Sequence, residues 1–201
     1  MGDPREEEIR GLTTSGDLRA AATLAIRAYG AELLGFLVSL QRSQADADDV
    51  FSATAERVWQ SLGGFRWECS LRTWMYAVCR NEFRRFQEGV RRHERRRAPQ
   101  SEASDIAAQV RTATMPYLNS GVRTAFTELR ETLDPEDRTI LVLRLDRDLA
   151  WDEIARVCAD ESVNVTDEWL KRESARLRKR FETIKHRLTI LARERGLIQT
   201  H

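Results

Sequence analysis

Apolar residues recur every three or four positions over long stretches of this chain, and this spacing constrains its fold more than any other feature. The clearest stretch runs from Leu18 to Gln41, where the recurring residues are Ala22, Ile26, Tyr29, Leu33, Leu37 and Leu40. Such spacing places the apolar side chains on one face of an α-helix, whereas a strand would alternate them every second residue. Helix breakers are scarce, with 10 glycines and 4 prolines in 201 residues. We therefore predict an all-α protein.

The first three predicted helices form one small helical domain, which we assign to residues 15–92. After the helix that ends near Gln41, a second is predicted from Asp46 to Leu62 and a third from Leu71 to Arg92. Ser70 is placed to cap the third helix. Residues 93–121 interrupt the apolar pattern with small polar residues, so we predict a flexible linker there, with a short helix over 106–118 as an alternative for its second half.

A second small helical domain is predicted over residues 122–196. Asp134 followed by Pro135 indicates a helix start, because Asp caps an N-terminus and proline already has a helical φ. A short helix is predicted from Trp151 to Cys158. Thr166 is a suitable cap for a long final helix.

Charge is nearly balanced overall, but it is unevenly distributed. The net charge is +1, from 33 basic and 32 acidic residues. Arginines cluster from Arg84 to Arg97, and lysines and arginines cluster from Lys171 to Arg187. Acids gather elsewhere, for example at Asp46, Asp48 and Asp49. This pattern predicts two surfaces that face phosphates and at least one that faces a basic protein partner.

Several classes of function and location are not expected. Cys69, Cys79 and Cys158 show no metal-ligand or disulfide spacing, and no sequence motif of a nucleophile, a phosphate loop or a metal site is present. We therefore expect no enzyme activity, no cofactor and no metal. No apolar run approaches the roughly 20 residues of a membrane span, and the charged N-terminus is unlike a signal peptide, so a cytoplasmic protein without membrane insertion is expected.

Two stretches carry longer motifs. An acidic helix start at Asp46 and a helix that ends near Trp59 precede F-R-W-E-C-S-L-R-T-W-M-Y-A-V-C-R-N, which ends at Asn81. Between Leu133 and Phe181 stand L-D-P-E-D-R-T-I-L-V-L-R, L-A-W-D-E-I-A and L-K-R-E-S-A-R-L-R-K-R-F. These stretches resemble regions two and four of the extracytoplasmic-function (ECF) class of the sigma-70 family of bacterial RNA polymerase sigma factors. In that family a loop of the type F-R-G-E-S precedes S-L-R-T-W-L-Y, and region four is a helix-turn-helix.

The resemblance implies a sigma factor that binds core RNA polymerase, directs it to promoter DNA and initiates transcription. Residues implied in polymerase binding are Asp46, Asp48 and Asp49. Those implied in contact with the minus-ten element are Arg66, Trp67, Arg80, Asn81 and Arg84. Those implied in contact with the minus-thirty-five element are Thr166, Lys171, Arg172, Arg176 and Lys179, with Lys179 and Arg180 nearest to phosphates. An anti-sigma factor is a further candidate partner.

Simpler interpretations of the same residues stay open. The aspartates also suit the positive end of a helix dipole. Asn81 could make a buried hydrogen bond, and Trp67 could pack within its loop. Trp59 and Trp74 have the spacing of core residues.

The sequence departs from the family pattern at three places. Ser52 and Ala53 replace a glutamine and an acid, Ala150 replaces a capping Ser or Thr, and the turn before Thr166 is about four residues longer than usual. Two other functions remain possible at this stage. One is a stand-alone helix-turn-helix regulator that dimerises through its first domain, and the other is a helical protein that only binds polymerase.

Overall fold

The computed structural model describes residues 3–41, 43–89, 101–118 and 125–198. Over these ranges every regular element is helical, which confirms the predicted all-α fold. The chain divides into two compact units, Met1–Asn119 and Ser120–His201.

The described part of the first unit contains five α-helices. They are α1 (Pro4–Ser15), α2 (Leu18–Leu40), α3 (Gln44–Ser61), α4 (Leu71–Gln87) and α5 (Glu102–Leu118), with a 3-10 turn, Leu62–Gly64, after α3. Helix α3 begins two residues before the predicted start because Ser43 is its cap, with its Oγ accepting the backbone N–H of Asp46 at 3.2 Å. Ser70 caps α4 as predicted, accepting the N–H of Thr73 at 3.0 Å.

Helix α2 is the centre of this unit and contacts α1, α3, α4 and α5. By length and composition it could cross a membrane, so the expectation that the chain has no such run was wrong. The run was missed because two charged residues, Arg27 and Glu32, interrupt it in the sequence. Its most apolar window is 61% buried against the other helices. Phe36, fully buried, packs edge-on against Tyr76 of α4 with ring centroids 5.2 Å apart. These contacts are typical of a core helix.

Helix α1 was not predicted, since its sequence has a single buried apolar residue, Ile9. Polar contacts hold it to α2: the Tyr29 hydroxyl donates to Asp3 Oδ2 at 3.1 Å. Burial raises the pKa of Tyr29, so this hydroxyl stays protonated and keeps its role as donor. The first unit therefore begins well before the predicted boundary at residue 15.

Helix α5 occupies most of the segment predicted as a linker over 93–121. Its apolar side chains Ala103, Ile106, Ala107 and Val110 are buried, and it packs on α2 and α3. Residues 102–118 therefore belong to the first unit, which corrects the linker prediction there in favour of the short-helix alternative. The flanking parts, 93–100 and 119–121, lie outside the described residues.

The close approach of α5 to α2 depends on Gly30. A Cβ at this position would lie 2.9 Å from Val110 Cγ1 and 3.1 Å from Phe51 Cζ, so any larger side chain must displace its neighbours. Arg19 of α2 also pairs with Glu102 of α5 at 2.8 Å. A glycine in the middle of a long helix thus serves packing at the cost of helix propensity.

We expect Gly30→Ala to lower the free energy of unfolding by about 1 kcal/mol, because overpacking outweighs the gain in helix propensity. Gly11→Ala is the matched control: it is also a helical glycine, but its Cβ would meet nothing within 4 Å, so this variant should gain stability. Urea unfolding of both variants measures the difference. In a Val110→Ala background the same Gly30→Ala change should cost less, because the crowded methyl group is gone. A Gly30→Ala chain as stable as Gly11→Ala would contradict this account.

The second unit contains α6 (Ala125–Arg130), α7 (Pro135–Leu145), α8 (Trp151–Cys158) and α9 (Asp167–Glu194). Both predicted caps are present: Asp134 Oδ1 accepts the N–H of Asp137 at 2.9 Å, and Thr166 Oγ1 accepts that of Trp169 at 3.2 Å. Ala150 supplies no side-chain cap, but Glu153 Oε2 accepts its backbone N–H at 2.8 Å. One of the two hydrogen bonds of a capping box is therefore present, and the one that a Ser or Thr hydroxyl would make is not.

Candidate nucleic-acid interface

The loop between the 3-10 turn and α4 holds three aromatic rings together. Phe65 packs against Trp67 with centroids 4.9 Å apart, and it stacks on Trp74 at 5.0 Å. Trp67 has a φ of 58°, a left-handed conformation that costs a non-glycine residue roughly 1–2 kcal/mol. The ring contacts offset this cost. Trp67 and Trp74 both remain half-buried, so Trp74 is not a fully buried core residue.

Three more residues of the predicted minus-ten contact belong to this part of the first unit. Arg66 lies in the loop, and Asn81 and Arg84 lie on α4, which follows it. Trp74, Asn81 and Arg84 recur along one side of α4 and are all half-buried, as their spacing of seven and three residues requires. The Arg66 side chain is 80% exposed and pairs with Glu68 at 3.2 Å, and Arg84 lies 3.8 Å from Glu88. Exposed pairs of this kind are weak, so the Arg66 guanidinium stays accessible to a stronger anion.

Arg80 differs from the other residues expected at the minus-ten element. Only 7% of this residue is exposed, so its side chain is not on a surface that DNA could contact. Its position on α4 places it next to the buried Cys79 and on the core side of the helix. Arg80 is therefore not part of the candidate interface.

The three aspartates of α3 do not form one patch. Asp48 Oδ2 lies 4.0 Å from Arg111 Nε of α5, so its charge is directed to a neighbouring helix. Asp46 and Asp49, three residues apart, share another side of α3 and are half-buried. The pairing of Asp48 could not be read from the sequence, where α5 lay in the predicted linker.

Helix α9 buries Leu170, Leu177, Phe181 and Ile184 and turns its opposite face outward. The exposed residues Glu168, Arg172, Ala175 and Lys179 follow one another along that outer line, and Lys171 is exposed beside it. Across the described parts of the chain, Lys171, Arg172 and Lys179 have no carboxylate partner. These three cations are therefore available to an external anion.

Two other arginines of α9 are already engaged. Arg176 donates through Nε to Glu173 Oε2 at 2.8 Å, and this hydrogen bond raises the pKa of Arg176. Arg180 meets three acids at the start of α7, at 2.5 Å for Asp137, 3.0 Å for Glu136 and 3.6 Å for Asp134. Burial disfavours its charge, but these carboxylates outweigh burial and raise the pKa of Arg180. Arg180 would have to leave these carboxylates before it could meet a phosphate, as the sequence predicts.

Sequence reasoning assigned no role to the residues of α1, although one of them lies at the candidate site. The Arg10 guanidinium carbon is 5.4 Å from the centroid of the Trp67 ring. An arginine near the N-terminus has no local signal for such a contact, because the two residues are far apart in sequence. Among the described residues no group of three or more His, Cys, Asp or Glu side chains could hold a metal ion.

Comparisons with known proteins place part of the first unit within a known family. Residues 25–107 match the family model of sigma-70 region 2. The ECF RNA polymerase sigma factor SigG of Mycobacterium tuberculosis, from strains CDC 1551 / Oshkosh and ATCC 25618 / H37Rv, is 29% identical over 138 residues, which cover 58% of this chain and 37% of the relative. The chain thus spans well under half of the length of these relatives.

One solved structure also aligns with most of the chain. It is a complex of the sigma factor RpoE with the anti-sigma factor NepR from Bartonella quintana. The alignment has a TM-score of 0.49 and 17% sequence identity, and it covers 85% of this chain and 97% of that one.

Proposed function

Because residues 25–107 belong to the sigma-70 region 2 family, we propose that this chain is an ECF-class sigma factor that binds core RNA polymerase, selects promoters and initiates transcription. It would act as a specificity subunit without catalytic activity of its own. The family match is the observation that carries the proposal, since it covers α3, the aromatic loop and α4.

The aromatic loop and the adjoining side of α4 suit the task of holding a melted minus-ten element. Unpaired bases stack on aromatic rings, and nearby cations bind the backbone of the same strand. Trp67 supplies a half-buried ring and Arg66 supplies accessible charge. On α4, Arg84 adds a second positive charge, and the Asn81 side chain has the donors and the acceptor that a base edge requires. A surface that only bound duplex DNA would have no need of a strained tryptophan in a loop.

The second unit would read the minus-thirty-five element through α9. A recognition helix inserts its N-terminal half into the major groove, where arginine reads guanine and lysine binds phosphate or guanine. Arg172 and Lys171 are exposed in that half, Thr166 caps it, and Lys179 follows on the same outer line. Arg176 would have to leave Glu173 before it could bind a base.

Asp46 and Asp49 are the proposed contacts for a basic surface of core polymerase. Oppositely charged surfaces steer association and fix its register. Asp48 is directed to a different neighbour, because its carboxylate faces Arg111 of α5 at 4.0 Å. An anti-sigma factor that covers the same surfaces, and action in the cytoplasm, complete the proposal.

Run-off transcription tests the proposal. We expect core polymerase supplied with this protein to initiate at a subset of promoters in a library of upstream regions and core alone to initiate at none of them. Duplex footprinting by the protein without polymerase, on a palindromic site, would instead identify a stand-alone regulator. Tight binding to core without any initiation would identify a protein that only occupies the polymerase.

A further inference from the structure

One side of α1 contacts the aromatic loop at two places, its middle and the end from which α4 begins. Glu6 accepts hydrogen bonds from the backbone N–H groups of Leu71 and Arg72, the latter at 3.2 Å. Together with the cap from Ser70, these bonds occupy the first free donors of α4. The carboxylate of α1 thus fixes the point at which the loop ends and α4 begins.

Arg10 lies one helical turn after Glu6, and the spacing of four residues places both on the same side of α1. Its guanidinium lies over the Trp67 ring, with the carbon 5.4 Å from the ring centroid. Glu6 therefore anchors α1 at the end of the loop, and Arg10 reaches the middle of it.

The charge of Arg10 is not neutralised. Arg5, the other cation of α1, pairs with Asp3 at 2.9 Å, whereas Arg10 is exposed and has no carboxylate partner within the described ranges. A guanidinium above an aromatic ring can still donate to an anion, since its N–H donors point outward in its own plane. Arginine binds phosphate through two parallel hydrogen bonds in this way.

We propose that Arg10 and Trp67 together bind one nucleotide of the unpaired promoter strand. The base stacks on the exposed part of the Trp67 ring, and the Arg10 guanidinium donates to the phosphate of the same nucleotide. This inference rests on the proposed sigma function and adds to it a residue from a helix that the family match at residues 25–107 does not include. Glu6 is a positioning residue, because it holds α1 against the loop.

The test uses the full chain assembled with core polymerase. The probe is a fork-junction duplex with a single-stranded minus-ten segment, built on a promoter that the run-off experiment selects. We expect Arg10→Ala to weaken fork binding about three- to tenfold and to lower the salt slope by about 0.7, the value for one phosphate on a single strand. Arg10→Lys should keep the salt slope and lose part of the affinity, because lysine keeps the charge but not the planar group.

Arg27→Ala is the matched control, since Arg27 is an exposed arginine of the same unit that is directed to Gln109 of α5 at 3.3 Å. It should bind the fork as the wild type does. Equal fork binding by Arg10→Ala and wild type, or tighter binding by the variant, would overturn the inference while the wild-type holoenzyme still opens promoters. A wild-type holoenzyme that opens none would overturn the proposed function itself.

Discussion

Reversal of Asp46 and Asp49 to lysine is expected to abolish association with core RNA polymerase. The two carboxylates share a side of α3, so two reversals place like charges against a basic partner surface, a change that costs several kcal/mol. This corresponds to a loss of at least about 100-fold in affinity. Co-purification with tagged core, followed by a fluorescence titration of labelled protein with core, measures the loss.

Glu7→Lys/Glu8→Lys is the matched control for this reversal. It makes the same change in net charge at exposed positions in the first turns of α1, in the same unit. This variant should bind core as the wild type does, and both variants should keep the helical circular dichroism of the parent. Wild-type affinity in the Asp46→Lys/Asp49→Lys chain would mean that these aspartates only complement the dipole of α3.

Loss of the Arg180 cation should destabilise the second unit by about 2–3 kcal/mol. Its side chain is 28% exposed and holds three carboxylates at the start of α7, so Arg180→Met leaves those acids to repel one another. The estimate lies below the 3–5 kcal/mol typical of a fully buried pair because water reaches part of the cluster. Hydrogen exchange of the α7 and α9 amides in the full chain localises the loss to this unit.

Arg172→Ala is the comparison that separates fold from recognition. Arg172 is exposed without a carboxylate partner in the described residues, so exchange in α7 and α9 should stay as in the parent. Binding to the preferred minus-thirty-five duplex should instead weaken by about 1–3 kcal/mol, with relaxed preference at one or two base positions. If the α7 and α9 amides exchanged equally fast in Arg180→Met and Arg172→Ala, the assignment of Arg180 to stability and Arg172 to recognition would be contradicted.

Periodicity and capping signals were sufficient for the helices whose stability is local or strongly amphipathic. Helices α2, α4 and α9 have long apolar stripes, and α7 has the Asp134–Pro135 start. Helix α1 was not predicted, and α5 was predicted only as an alternative to a linker. The first is held mainly by polar contacts to distant residues, and the second packs closely only because Gly30 lacks a side chain.

In the candidate site, too, the features set by local sequence could be predicted and those set by distant contacts could not. Exposure of Arg66, Arg172 and Lys179 agreed with the charge pattern, because an outward helix face or loop can be read from spacing. The ion pairs of Asp48 and Arg180 are made with residues of other helices. A local sequence pattern does not show which opposite charge the fold brings near. Arg80 likewise gave no sign in the sequence that it would be buried, because charged residues are usually exposed.

Trp67 occupies a backbone conformation that suits glycine, and the related loop motif F-R-G-E-S has glycine at that place. Glycine would relieve the left-handed strain, but it would also lose the ring contacts that offset this strain. Persistence of tryptophan at this position among descendants of the same ancestor would mark purifying selection on the ring itself. Its substitution pattern across a lineage would then record when the loop came to depend on an aromatic surface instead of on backbone geometry alone.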